Sequence, residues 1–156
     1  MSFHRGIDER GRSAVVKTTG NDAGFVILRG GRGGPNYAAE HVARAAQRMR
    51  EVGRHPAVMV DCSHANAAGD YRRQEEGWRD VVGQATRGDA PLVGLMVESN
   101  IHEGKQPLGK DRSALRYGVS LTDGCIGWEQ SEALLREAHA QLVQDGVNKT
   151  RVSSGL

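Results

Sequence analysis

Residues 57–66 read Ala57-Val58-Met59-Val60-Asp61-Cys62-Ser63-His64-Ala65-Asn66, four apolar residues running straight into a dense polar cluster. A short unbroken apolar run has no solvent face to alternate with, so it predicts a strand buried on both sides. The pattern occurs twice more. Phe25-Val26-Ile27-Leu28 runs into Arg29-Gly30-Gly31-Arg32-Gly33-Gly34, and Leu92-Val93-Gly94-Leu95-Met96-Val97 runs into Glu98-Ser99-Asn100. Helical periodicity fills the intervals. One stretch covers about 37–52, apolar at Ala38, Val42, Ala45, Ala46 and Met49 and closed by Gly53. A second covers about 71–86. A third, about 130–143, is apolar at Ala133, Leu134, Ala138 and Leu142, and residues 145–156 after it are expected to form a flexible tail. Strand, polar or glycine-rich loop and helix alternate three times, which predicts an α/β fold with a parallel sheet.

Ser13–Thr18 reads as a further short strand before the turn cluster Gly20-Asn21-Asp22-Ala23-Gly24. A long glycine-bearing loop is expected from Ile101 to Trp128. The 156 residues fit one domain, and no apolar run approaches the roughly 18 residues of a membrane helix. Twenty-one basic residues against 19 acidic ones give a net charge of +2 with no basic cluster, which argues against a nucleic-acid binder. Two cysteines, Cys62 and Cys125, exclude a disulfide scaffold and point to a reducing cytoplasm.

In folds of this class, chemistry gathers beyond the C-terminal strand ends. The three strands end on Arg29, His64 and Glu98. Arg29 can grip a phosphate or carboxylate with its fork, and Gly30 and Gly31 let backbone N–H groups approach an anion. It is equally at home as a solvated arginine in a turn. His64 is a metal ligand, an acid–base group or a hydrogen-bonded loop histidine. Glu98 closes an otherwise apolar strand and needs a cation, a polar partner or water. Asp123, in Leu121-Thr122-Asp123-Gly124-Cys125, is a third candidate ligand or an Asx-turn residue. One imidazole with two carboxylates suits Mn, Fe or a similar divalent ion.

These residues also carry a resemblance. The strings ILRGGRGGPNY (27–37), VMVDCSHANAAGDYRRQ (58–74), GLMVESNIHEGKQPL (94–108) and YGVSLTDGCIGWEQSEALL (117–135) resemble the C-terminal part of class I 3-deoxy-7-phosphoheptulonate (DAHP) synthase. That family condenses phosphoenolpyruvate with erythrose 4-phosphate at the entry to aromatic amino-acid (shikimate) biosynthesis. The similarity runs from about Ser13 to Leu142, with four motifs in order.

The resemblance implies a partial (β/α)8 TIM-barrel fold. The chain, taken as one domain over 1–156, matches the last three βα units, with a β-hairpin and the first barrel strand over about 12–28. It implies that Arg29 binds the phosphoenolpyruvate phosphate, with Gly30, Ser63 and Asn66 also touching substrate. It makes His64, Glu98 and Asp123 the metal ligands, and places Asp61 with His64 and Glu98 in the catalytic group. The hairpin resembles one that serves amino-acid feedback in some members. The family's fourth ligand, a cysteine, and its GPC, KPR, ART and FKN motifs have no counterpart, and Cys62 and Cys125 lie in matched motifs instead. A divalent metal such as Mn²⁺ is therefore expected to bind at reduced affinity.

Three parallel strands leave two raw sheet edges and an uncovered inner face, so a homo-oligomer is expected, by edge pairing of copies. A complementary or full-length synthase chain is the other candidate partner. Two further readings accompany the condensation: a repurposed lyase or dehydratase acting on a smaller phosphorylated or carboxylate substrate, and a non-catalytic regulatory subunit.

Overall fold

The computed structural model describes residues 2–153 apart from Asp22 and Asp89, and side chains over 3–144. Two strands, β1 (Ser2–Ile7) and β2 (Ser13–Thr18), pair antiparallel with Phe3 opposite Lys17 and Ile7 opposite Ser13. The hairpin therefore lies earlier than the 12–28 expected, because β1 carries no apolar run that marks it as a strand. Its turn is closed by Asp8, which accepts from the backbone N–H groups of Arg10 and Arg12, both at 2.9 Å.

The rest is a three-stranded parallel sheet, ordered β3 (Val26–Leu28), β4 (Val58–Asp61), β5 (Leu92–Met96). Helix α1 (Ala39–Glu51) joins β3 to β4, and α2 (Gln74–Arg87) joins β4 to β5. Gly53 ends α1 as expected. With φ at +70° it lets Arg54 N–H reach Met49 O and its own N–H reach Arg50 O, the two bonds of a Schellman cap. Helix α3 runs Trp128–Ser153, well past the end expected near Val143. Of the expected flexible tail, residues 154–156 lie outside the described residues.

Strand alternation sorts the core. Val58 and Val60, both fully buried, face α1 and α2 and meet Val42, Ala46, Val81 and Val82. Trp78 on α2 donates its indole N–H to Leu134 O and ties α3 to this core. Met59 and Asp61 point to the opposite face, alongside Ile27 and Met96 in the paired register. Only β4 is largely buried, with Met59 its one half-buried residue. Ile27 is 38% exposed, Val93 56% and Met96 40%, because β3 and β5 are edges and no layer covers the face opposite the helices among the described residues. The expectation of three fully buried strands is corrected accordingly: an apolar run records the burial a strand is built for, and the outer two do not receive it from this chain.

Candidate functional site

Because the three strands are parallel, their C-terminal ends share one sheet edge, and Arg29, His64 and Glu98 emerge there together. Asp61, at the end of β4, is fully buried and organises its neighbours. One oxygen accepts from Arg29 Nε at 3.0 Å, and the other accepts Ser63 N–H at 2.9 Å. His64 Nδ1 stands 2.9 Å from Asp61 Oδ2, but at an angle outside hydrogen-bond geometry, so this is a close polar contact only. On the other side of the ring, Arg29 Nη2 lies 2.6 Å from His64 Nε2. A guanidinium has only donors, so Nε2 is the acceptor and the ring proton belongs on Nδ1, facing Asp61.

The loop carrying His64 is held in a shape few residues adopt. His64 and Ala68 have φ of +53° and +50°, enclosing a single turn of 3₁₀ helix over His64–Ala67. Asn66 fastens that turn: its amide N–H groups go to Leu28 O and Asp61 O, and its oxygen accepts from Asn36 N–H. Asn36 in turn accepts Gly30 N–H at 2.7 Å. Asn66, expected at the substrate, is thus a buried strut between two strand ends. Gly30, expected to offer its N–H to an anion, spends it on Asn36. It is glycine for another reason: φ is +73°, and a Cβ there would stand 2.7 Å from the Ala65 carbonyl carbon. Ser63 is likewise buried. Asp61, being fully buried, reaches the site only through Arg29 and His64 and is a positioning residue.

Glu98 follows β5. Gln74, the first residue of α2, grips its backbone from both sides, accepting Glu98 N–H at 2.7 Å and donating to Glu98 O at 3.2 Å. The helical pattern gave no signal for Gln74, since a fully buried polar residue there looks like an ordinary N-terminal turn position. Asp123 arrives from the long loop after β5. Gly104 and Cys125 exchange both backbone hydrogen bonds, which folds the loop back on itself. Gly124 then lies against the Tyr71 ring, where a Cβ would be 2.5 Å from Cδ1.

The result brings one ligand atom each from His64, Glu98 and Asp123 within 4.8 Å of one another. His64 Nε2 is 3.7 Å from Glu98 Oε1 and 4.0 Å from Asp123 Oδ2. One neutral imidazole and two carboxylates on converging loops form a donor set that fits a hard divalent ion. A cavity of about 420 Å³ opens beside them, lined by Ser63, His64, Asp70, Tyr71, Arg72, Lys105 and Asp123. Neither cysteine adds a ligand. Burial pushes the Cys62 thiol up to about 12, with the Asp61 charge adding to it, and burial also raises Cys125.

The model of the DAHP synthetase I family matches residues 4–136. The chain belongs to this family. It is 50% identical over 137 residues to the Tyr-sensitive phospho-2-dehydro-3-deoxyheptonate aldolase of Escherichia coli (strain K12), covering 88% of this chain and 38% of that one. Against the Tyr-sensitive enzyme of the same name from Enterobacter agglomerans the identity is 45%, covering 95% of this chain and 68% of the relative. The tyrosine-inhibited aldolase of Candida albicans is 41% identical, at 96% and 42% coverage. Among solved structures, the phospho-2-dehydro-3-deoxyheptonate aldolase of Francisella tularensis SCHU S4 superposes with a TM-score of 0.81 at 33% identity, over 90% of this chain and 40% of that one. The chain thus spans about two fifths of the length of the first relatives it matches. Within the family, what this chain holds is three converging strand ends with their helices.

Proposed function

We propose that this chain carries the metal-binding and phosphate-holding part of a site that condenses phosphoenolpyruvate with erythrose 4-phosphate, on the last three βα units of a TIM-barrel architecture. The observation that carries the reading is the convergence of His64, Glu98 and Asp123 beside Arg29 at one sheet edge. Family membership supports the reaction class, and the comparisons lend the lyase, dehydratase and regulatory-subunit readings no support.

A bound divalent ion held by those three residues would supply Lewis acidity to an aldehyde oxygen. The chain's own groups do the rest of what can be assigned to it. Asp61 anchors Arg29 by Nε and His64 takes one Nη2 proton, and the guanidinium, 54% exposed, keeps further donors for a phosphate. Gln74 fixes Glu98, and the 3₁₀ turn pinned by Asn66 fixes His64. In the condensation, a bond forms between the methylene carbon of phosphoenolpyruvate and the aldehyde carbon, and the aldehyde oxygen takes up a proton. Water adds at the former enol carbon, and phosphate leaves from it.

The uncovered face of the sheet adjoins this site, so we include in the proposal that the chain works as a homo-oligomer or with a complementary synthase chain. Calorimetric titration with Mn²⁺ tests the centre: His64→Ala and Asp123→Ala are expected to lose at least about tenfold in affinity. Equal binding by wild type and His64→Ala would overturn the metal assignment. Turnover of phosphoenolpyruvate and erythrose 4-phosphate, with and without Mn²⁺, then shows whether this chain suffices; metal binding without turnover would assign the missing substrate contacts to further polypeptide.

A further inference from the structure

The Arg29 guanidinium and a metal ion compete for one lone pair. Nη2 of Arg29 stands 2.6 Å from His64 Nε2, and that same nitrogen faces Glu98 Oε1 at 3.7 Å and Asp123 Oδ2 at 4.0 Å. It is the ring nitrogen of His64 that points into the three-residue cluster, since Nδ1 faces Asp61. A lone pair accepting an N–H cannot also ligate a cation. We infer that Arg29 is a gate on the metal centre, and that a tetrahedral oxyanion opens it by drawing the guanidinium off His64 Nε2. The inference rests on the reading of His64 as a ligand and adds to it a coupling between anion and metal.

The local geometry supports a two-position arginine. Asp61 holds Nε, the inner corner of the fork, so the outer nitrogens can pivot while the anchor stays. The side chain is half exposed and has room to move, whereas Asp61 is fully buried and His64 is fixed by its loop. An oxyanion offers the guanidinium a charge-assisted, bidentate partner in place of a single bond to a neutral ring. Removing the guanidinium from Nε2 also takes a positive charge away from the place a cation would occupy. Coupling of this kind is reciprocal: whatever factor the anion adds to metal affinity, the metal adds to anion affinity.

Sulfate serves as the probe, since it is tetrahedral and leaves the titrated Mn²⁺ largely free. At pH 8 and matched ionic strength, sulfate in place of chloride is expected to tighten Mn²⁺ binding to the wild-type chain by about five-fold or more, the low end of ordinary coupling. Arg29→Ala should bind Mn²⁺ more tightly than wild type without sulfate and show no sulfate response. Arg29→Lys, which keeps the charge but cannot span Asp61 and His64 with a fork, should lose most of the sulfate response while binding Mn²⁺ no tighter than Arg29→Ala. Long-range ¹H–¹⁵N spectra of the metal-free protein give a readout without metal. His64 should show the Nδ1–H tautomer, and its Nε2 resonance should shift on sulfate addition in wild type but not in Arg29→Ala. An Nε2–H tautomer in wild type, or Mn²⁺ affinity indifferent to both sulfate and the Arg29 substitutions, would overturn the gate while leaving the metal centre standing. Absence of Mn²⁺ binding in every variant would instead remove the metal reading beneath it.

Discussion

A methyl group at position 30 would stand 2.7 Å from the carbonyl carbon of Ala65 and 2.8 Å from Asn66 N, with φ already at +73°. The obstacle is backbone, which cannot swing aside as a side-chain tip can. Gly30→Ala is therefore expected to cost about 1–3 kcal/mol and to push the His64 turn outward. Urea denaturation checks the first, and a weakened Mn²⁺ isotherm the second. Cys62 makes a different point at the same scale. Its thiol is held neutral up to about 12, chiefly by burial, whereas in an unfolded chain it ionises near 9. Above pH 9 the unfolded state sheds a proton the folded state keeps, so Cys62 lowers stability as pH rises from 9 toward 12 and has no effect below. Cys62→Ala should flatten the fall of the melting temperature across that window. Iodoacetamide at pH 8 should label Cys62 only after unfolding. Prompt labelling of the native protein would contradict the burial.

At the scale of elements, the site depends on how helices and loops hold the strand ends. The first residue of α2 does work that belongs to the next strand, because Gln74 makes both hydrogen bonds to the backbone of Glu98. Gln74→Leu keeps the volume but leaves Glu98 N–H without its partner. It should cost about 1–3 kcal/mol, with Mn²⁺ binding weakened as Glu98 loses its position. A variant with unchanged stability would show that water replaces the amide. The long loop follows the same logic. Gln106 accepts Arg116 N–H and donates to Arg116 O and Val119 O, and it braces the turn that returns the chain to Asp123.

For the whole molecule, exposed area is the decisive quantity. The chain exposes 11155 Å² at 16.8 kDa. A compact monomer of that mass exposes about 7,700 Å². The excess, roughly 3,500 Å² on one chain, is larger than the roughly 1,000–2,500 Å² that each partner contributes to an obligate interface. It includes apolar groups on the open sheet and the hairpin: Ile27, Met96, Phe3, Ile7 and Val15. Association is the expected outcome. Light scattering at micromolar concentration should report more than one protomer, and Ile27→Lys on the uncovered face should shift the distribution toward monomer. A monodisperse wild-type monomer would contradict the expectation.

Legible along the chain were the order of the parallel strands and their helices and the sheet edge at which the candidate ligands gather. Apolar runs ending in Arg29, His64 and Glu98, with helices between, admit little besides parallel strands, and parallel strands place their ends together. The motifs likewise marked His64, Glu98 and Asp123, which meet within 4.8 Å. What each neighbouring residue touches there is settled by the folded chain. Asn66 and Gly30 look like ligand contacts along the chain, yet their polar groups are spent on Leu28, Asp61 and Asn36. Asp61 looks catalytic and is sealed beneath Arg29. Gln74 carries no pattern at all. Periodicity records which face a residue is on, because burial acts on every turn or pleat alike. A hydrogen-bond partner 24 or 38 residues away depends on where two loops stop, which no local pattern encodes. The open edges of β3 and β5 belong to the same class of fact, since a strand's apolar run specifies that it be covered and leaves unstated by what.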